Sequence, residues 1–207
     1  MSKQQEHIQL YLASRSPRRQ LLLKQIGVLF KQIDVDVSEE RILQENPHDY
    51  VSRIALEKAR AASRLLGLDK NIPILGADTI IVIDNTILGK PKDFTDAVNM
   101  LSRLSGRTHK VLTALSVIHD GAWSCINETS VSFRDLTEDE IEAYCFSDEP
   151  WDKAGSYAIQ GKAAVFIKEI KGSYSGVMGL PLFESARCLQ KAGINIFNTD
   201  EIETGSI

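Results

Sequence analysis

Residues 72–91 read IPILGADTIIVIDNTILGKP. Two apolar runs flank Asp84-Asn85, a pair suited to a two-residue hairpin turn, so this stretch is expected to fold back on itself as antiparallel strands. Around it, strand patterns and helical patterns interleave. A sheet that takes both a hairpin and strand–helix–strand units is mixed rather than purely parallel. The expected class is therefore α/β, a mixed twisted sheet with flanking helices. The 207 residues are 43% hydrophobic and 25% charged, which suits an ordinary globular core in one α/β domain or two small lobes around a cleft.

The remaining elements follow from periodicity and end signals. A strand is expected over 8–13. Ser16 then offers an N-cap oxygen and Pro17 fits the first helical position, so a helix should run over 17–26 with Leu21, Leu22 and Ile26 as its buried stripe, ended by Gly27. A strand over 30–35 precedes the acidic stretch DVSEER. Asn46-Pro47 opens a longer helix that buries Tyr50, Val51, Ile54, Ala55, Ala62 and Leu65 and stops at Gly67. A helix over 96–104, strands over 110–118 and 129–133, and a helix over 138–146 with a Thr137/Glu140 capping box come next. A strand over 163–170 and a helix over 181–192 complete the chain.

Two features are costly unless they serve a ligand. Residues 10–19 read LYLASRSPRR, which places Arg18 and Arg19 in a first helical turn. Unpaired N–H groups already make that end partly positive, so acidic residues are favoured there and cations are not. A bound phosphate reverses the argument, because backbone N–H groups and guanidinium donors converge on it; a solvated basic turn is the alternative. The second feature is Asp78 in ILGADTIIVI, since a carboxylate in so apolar a run needs a cation, a metal or strong hydrogen bonds. A structural Asp tying a turn is the alternative there.

Around these lie Lys58 in LEKARA and Lys90, which Pro91 biases to an extended backbone. Glu39 and Glu40 sit in the polar loop SEER. Two glycines bracket Ser-Tyr-Ala-Ile-Gln in DKAGSYAIQGKAA, as expected where backbone passes close to a ligand. Two acids, several cations and a glycine-flanked amide are the parts of a metal-assisted polyphosphate site.

The bulk numbers exclude other classes. A net charge of -4 gives no electrostatic case for nucleic acid. No apolar stretch reaches the roughly 20 residues of a membrane span, and MSKQQEHIQ lacks a signal-peptide core, so a cytoplasmic protein is expected. Cys125, Cys145 and Cys188 share no Cys-x-x-Cys spacing and read as buried or idle thiols, with neither a metal nor a disulfide role expected.

The blocks LASRSPRR, EKA (57–59), GADT, GKP (89–91), SGRTHKVLTA, DKAGSYAIQG and GSYSGVMGLPL occur in that order over residues 10 to about 190. Together they resemble the Maf family of nucleoside triphosphate pyrophosphatases. The resemblance implies two lobes around a deep cleft, an architecture related to the inosine triphosphate pyrophosphatases, a divalent cation (Mg2+ or Mn2+) and a homodimer. It implies hydrolysis of a nucleoside triphosphate to the monophosphate and pyrophosphate, and carries a family link to inhibition of septum formation. By position, Asp78 matches the proton acceptor, and Glu39, with its register against Glu40 open, matches the acid that completes a metal site with Asp78. Ser14, Arg19, Lys58 and Lys90 match phosphate-binding positions.

The family divides by base, and three positions carry the division: Arg18, Thr79 and Gln160. In the 7-methyl-GTP branch the first is Trp, the second Gln or a similar residue, and the third Glu. Methylguanine is cationic and presents N–H donors, so a carboxylate and an aromatic platform suit it, whereas an amide such as Gln160 can both donate to and accept from a pyrimidine edge. The resemblance therefore points to dTTP and UTP, with modified pyrimidine triphosphates also fitting. The alternatives are a 7-methyl-GTP enzyme and a nucleotide-binding regulator of cell division that does not hydrolyse.

Overall fold

In the computed structural model, residues 8–67 and 71–197 are described. Seven strands form one mixed sheet: β1 (Leu10–Ala13), β2 (Phe30–Gln32), β3 (Ile74–Ile83), β4 (Thr86–Leu88), β5 (Thr108–Ile118), β6 (Ala122–Phe133) and β7 (Ile167–Lys171), in the order β2-β1-β3-β5-β6-β7 with β4 also on β3. β1 pairs in parallel with both β2 and β3, and every other pairing is antiparallel. Among the described residues six α-helices accompany it: α1 (Pro17–Gln25), α2 (Pro47–Leu66), α3 (Phe94–Leu104), α4 (Glu138–Cys145), α5 (Tyr174–Met178) and α6 (Leu182–Lys191).

The hairpin forms where expected. Asp84 and Asn85 take φ of 50° and 57°, the left-handed pair that lets a two-residue turn match strand twist. Asn46 and Thr137 cap α2 and α4 with their side chains, the latter in a complete capping box. Ser16 holds the N-cap position of α1 without a side-chain cap bond.

β3 runs through the centre and sorts its side chains by parity. Ile80 and Val82 pack under α2 with Val51, Ile54 and Ala55, and Ile74 packs further along the same helix with Ala59 and Ala62. Leu75 and Ala77 face the opposite side, in a core shared with α1, α6 and β1. Ile81 and Ile83 continue that face into a separate core with α3 and α4. The cavity described below is lined by residues from all of these cores.

Several expectations are corrected. α1 buries Leu22 and Leu23, while Leu21 is exposed, because Arg19 also takes the buried face and turns the stripe by one position. Leu65 is exposed at the end of α2, past the edge of the sheet. The strand expected over 163–170 is a 3-10 turn over Lys162–Phe166 before β7 begins; the Glu149 carboxylate accepts from the N–H groups of Lys162 and Ala163 and holds that turn. The strand expected over 129–133 begins at Ala122 and pairs along all of β5. The polar half escaped notice because its outer face is wet. α5 carries no long periodic pattern and was not foreseen.

Candidate active site

β3 pairs with β1 only as far as Gly76, and with β4 only from Ile81 onward. Between those points, residues 77–80 have no strand on that side. The gap lies at the C-terminal end of β1, where the chain turns into α1, and a cavity of about 640 Å³ occupies it. Asp78 and Thr79 stand in the gap and line that cavity.

Gly76 explains how Asp78 meets its partner. A Cβ at Gly76 would lie 2.6 Å from the Ala59 nitrogen and closer still to the Ala55 carbonyl, so only glycine lets α2 lie against the strand here. Two residues on, Asp78 projects from the same face. The close approach brings Lys58 of α2 onto it: Lys58 Nζ donates to Asp78 Oδ1 at 2.8 Å and to Glu39 Oε1 at 2.8 Å.

The two glutamates of the acidic loop are placed differently. Glu39 reaches Lys58 and lines the cavity, whereas Glu40 offers its backbone carbonyl to Arg53. Tyr50 donates its hydroxyl to the Glu39 carbonyl at 2.8 Å, and Arg53 binds Glu45 at 2.7 Å. The helix thus clamps the loop at both ends of its acidic run. Tyr50 reads in the sequence as a core residue only, and its hydroxyl was the signal of a second task.

The two carboxylates titrate in opposite directions. Burial pushes Asp78 above the ordinary carboxylate value and outweighs the attraction of Lys58 and Arg19. For Glu39 burial pulls the same way, but the Lys58 hydrogen bond and the charges of Lys58, Lys90 and Arg19 prevail and hold it below the usual value. Neighbouring carboxylates shifted in opposite directions can take separate acid–base roles.

Arg19 answers the question its position raises. Its side chain turns inward and the residue is 8% exposed. Nε donates to the Gly179 carbonyl at 2.8 Å, Nη1 to Ser14 Oγ at 2.9 Å and Nη2 to Thr79 Oγ1 at 3.2 Å. Burial pulls the guanidinium below its ordinary value, against the opposing pull of the Asp78 charge. Among the described residues Arg19 enters no ion pair. A buried cation held only by neutral acceptors lacks its counter-ion, and the cavity is where an anion would supply it. Ser14 Oγ accepts from Arg19 and from the Ser16 N–H, which leaves its own proton to donate.

The other expected residues divide. Lys90 lines the cavity, exposed at the hairpin end, and the neighbouring Gly89 carbonyl accepts from the Gly155 N–H at 2.9 Å. Arg18 lines it too, 3.9 Å from Asp152. Thr79 faces Arg19 and Thr113, and its hydroxyl has both partners already, which makes it a support for the guanidinium in this structure. Gln160 is not brought into the set: it is exposed in the turn after Ile159, and Ile159 lines the cavity in its place. Arg15, Asp152 and Lys153 also line the wall.

For a divalent cation, the fit is partial but coherent. No cluster of three or more His, Cys, Asp or Glu side chains suited to a metal occurs among the described residues. Asp78 and Glu39 converge on one point, held at present by the Lys58 ammonium. Mg2+ is commonly bound through one or two carboxylates plus substrate phosphates and water, so this donor set suits a cation that arrives with a polyphosphate. No helix among the described residues is long and apolar enough to cross a membrane.

Comparison with known proteins places relatives along most of the chain. Residues 9–192 match the family described as Maf-like protein. The dTTP/UTP pyrophosphatase of Alkalilimnicola ehrlichii is 49% identical over 90% of this chain and 94% of its own length. That of Nitrosospira multiformis is 50% identical over 91% and 96%, and that of Escherichia coli K12 is 48% identical over 87% and 91%. Among solved structures, a nucleoside-triphosphatase / dITP/XTP pyrophosphatase from Mycobacterium abscessus is 18% identical, with a TM-score of 0.40 over 61% of this chain and 75% of that one.

Proposed function

The chain belongs to the Maf family, and from that premise and the cavity we propose that it hydrolyses dTTP and UTP to the nucleoside monophosphate and pyrophosphate. The observation that carries the proposal is the buried, unpaired Arg19 guanidinium facing the same cavity as the buried Asp78 carboxylate. The relatives named above supply the substrates, and modified pyrimidine triphosphates fit the same reading.

In this proposal the triphosphate enters between Arg19 and Lys90, with the Ser14 hydroxyl and the α1 N-terminus on its flank. The remaining N–H groups of Arg19 bind phosphate oxygens with no reorganisation, since three of its contacts already fix the guanidinium plane. Asp78 accepts a proton from the attacking water. Lys58, bound to both carboxylates, keeps the base oriented and offsets charge as the pyrophosphate departs. Asp78 and Glu39 would hold a divalent cation that arrives with the substrate, and it would acidify the water and neutralise further charge. Positioning and electrostatics carry most of the rate in such reactions.

Base choice belongs to the wall near Arg18, Thr79 and Gln160. Arg18 stands where the 7-methyl-GTP branch is expected to carry Trp, so no aromatic platform for a cationic base is offered at that position. Gln160, in the turn after the cavity-lining Ile159, carries the amide suited to a pyrimidine edge. A homodimer is part of the same proposal, and sedimentation velocity measures it directly.

A nucleotide panel assayed for pyrophosphate, with and without Mg2+ or Mn2+, tests the reading. Metal-dependent release from dTTP and UTP in preference to 7-methyl-GTP supports it. Preference for 7-methyl-GTP overturns the branch, and binding without release overturns the enzyme.

A further inference from the structure

Away from the cavity, Cys125 of β6 and Cys188 of α6 meet. Their sulfur atoms lie 3.6 Å apart, within S–H···S hydrogen-bonding distance. The sequence had given neither thiol a partner. Both line a second cavity of about 330 Å³ together with Glu184, Arg187 and Lys191. Cys145 sits alone in the core between α3 and α4.

We propose that Cys125 and Cys188 form a reversible dithiol–disulfide site that reacts with peroxides. The two thiols are unequal. The hydrogen-bonded contact with Cys125, with the charges of Lys191 and Arg187, pulls Cys188 down to about 7 against burial and the Glu184 charge. The same pairing, with burial, pushes Cys125 up. The thiol on the same helix as Arg187 and Lys191, facing the cavity, is the nucleophile, and the neighbour in contact with it is the resolving thiol.

The chemistry balances with hydrogen peroxide as oxidant. The Cys188 thiolate attacks one peroxide oxygen, an S–O bond forms, the O–O bond breaks, and the departing hydroxide takes up a proton to leave as water. Cys188 is then a sulfenic acid. The Cys125 sulfur attacks the Cys188 sulfur, the S–S bond forms, the S–O bond breaks, and a second water leaves carrying the Cys125 proton. Two electrons pass from the thiols to the peroxide. The sulfurs must close to a bonded separation of about 2 Å, a motion that rotation of two side chains on facing elements can supply. In a reducing compartment such a bond is transient, which is the setting of sensing rather than structural disulfides.

The cross-link fastens α6 to the sheet. The segment leading into α6 contains Gly179, whose carbonyl holds Arg19. Neither cysteine lines the catalytic cavity, so the serine variants keep basal activity.

The test is peptide mass mapping of the full-length protein after hydrogen peroxide treatment, with Cys145 as internal control. The expected result is a mass loss of about 2 Da in a linked pair of peptides carrying Cys125 and Cys188, reversed by dithiothreitol, with Cys145 still alkylated. In Cys125→Ser, dimedone is expected to trap a sulfenic acid on Cys188; in Cys188→Ser, Cys125 stays unlabelled. Oxidation of Cys125 and Cys188 no faster than Cys145, links between chains only, or equal labelling of the two single variants would each overturn the proposal.

Discussion

The Lys58 ammonium lies 2.8 Å from Asp78 Oδ1, on a contact that exists because Gly76 lets α2 rest on β3. The same ammonium holds Glu39, so one cation joins strand, helix and acidic loop at the mouth of the cavity. Replacing it with Lys58→Met removes the orienting charge and leaves two carboxylates to repel each other. Activity is expected to fall by about a hundredfold or more, the scale on which positioned acid–base groups contribute. The acid limb of the pH–rate profile should move upward as Asp78 loses its nearest cation. Steady-state kinetics across pH measure both, and an unmoved acid limb contradicts the assigned contact.

The opposite shifts of Asp78 and Glu39 give a stability signature with a definite sign. Asp78 has a folded value above its unfolded one, so its contribution is present below the unfolded value and is lost as pH rises through the folded one. Glu39 has a folded value below its unfolded one; its contribution is present above the unfolded value and is lost as pH falls through the folded one. At neutral pH the ionised Asp78 is therefore a destabilising group kept for its chemistry. Asp78→Asn should melt no lower than the parent at pH 7, with Lys58 still paired to Glu39, and the gap between the two proteins should close on acidification. Thermal melts at pH 7 and in the acid range check this; a markedly lower melting temperature for the variant contradicts it.

Thr113 positions Arg19 from a distance. Its hydroxyl donates to the Gly176 carbonyl at 2.8 Å, so in the 3.0 Å pair with Thr79 it must accept, and Thr79 in turn accepts from Arg19. The chain of bonds has one direction. Thr113→Val, isosteric but unable to accept or donate, should raise KM for the nucleotide about tenfold, the equivalent of roughly 1–1.5 kcal/mol for a lost hydrogen bond, with a smaller change in kcat. Thr113→Ser should restore KM. Equal loss in both variants would point to packing instead.

Gly76→Ala tests the approach of α2 directly. The added methyl meets backbone atoms of Ala55 and Ala59, which have no rotamer to yield. Overpacking of this kind costs about 1–3 kcal/mol, readable by urea denaturation. Activity should fall beyond what the lost folded fraction explains, because moving α2 carries Lys58 away from Asp78.

The sequence carried the hairpin, the capped helices and the cations that line the cavity because each depends on local chemistry. Asp84-Asn85 accept left-handed backbone, Thr137 and Glu140 cap each other, and an arginine at a helix start needs a reason that is visible without coordinates. What it did not carry depends on contacts distant in the chain. Leu21 and Leu23 differ only in which one the sheet covers, and the stripe is shifted by a buried arginine that no hydropathy pattern anticipates. The wet half of β6 is a strand because β5 needs a partner. The bonds of Thr79 to Arg19 and Thr113 join residues far apart in the chain, and so does the Cys125–Cys188 contact.

The central claim is that Asp78 is the base of a nucleotide-hydrolysing site. Single-turnover release of pyrophosphate from dTTP with Mg2+, compared between the parent and Asp78→Asn of matched circular dichroism, tests it most directly. The account predicts stoichiometric dTMP and pyrophosphate from the parent and a loss of about a thousandfold or more in the variant, which the scale of general-base contributions allows. Turnover by Asp78→Asn within tenfold of the parent would contradict it.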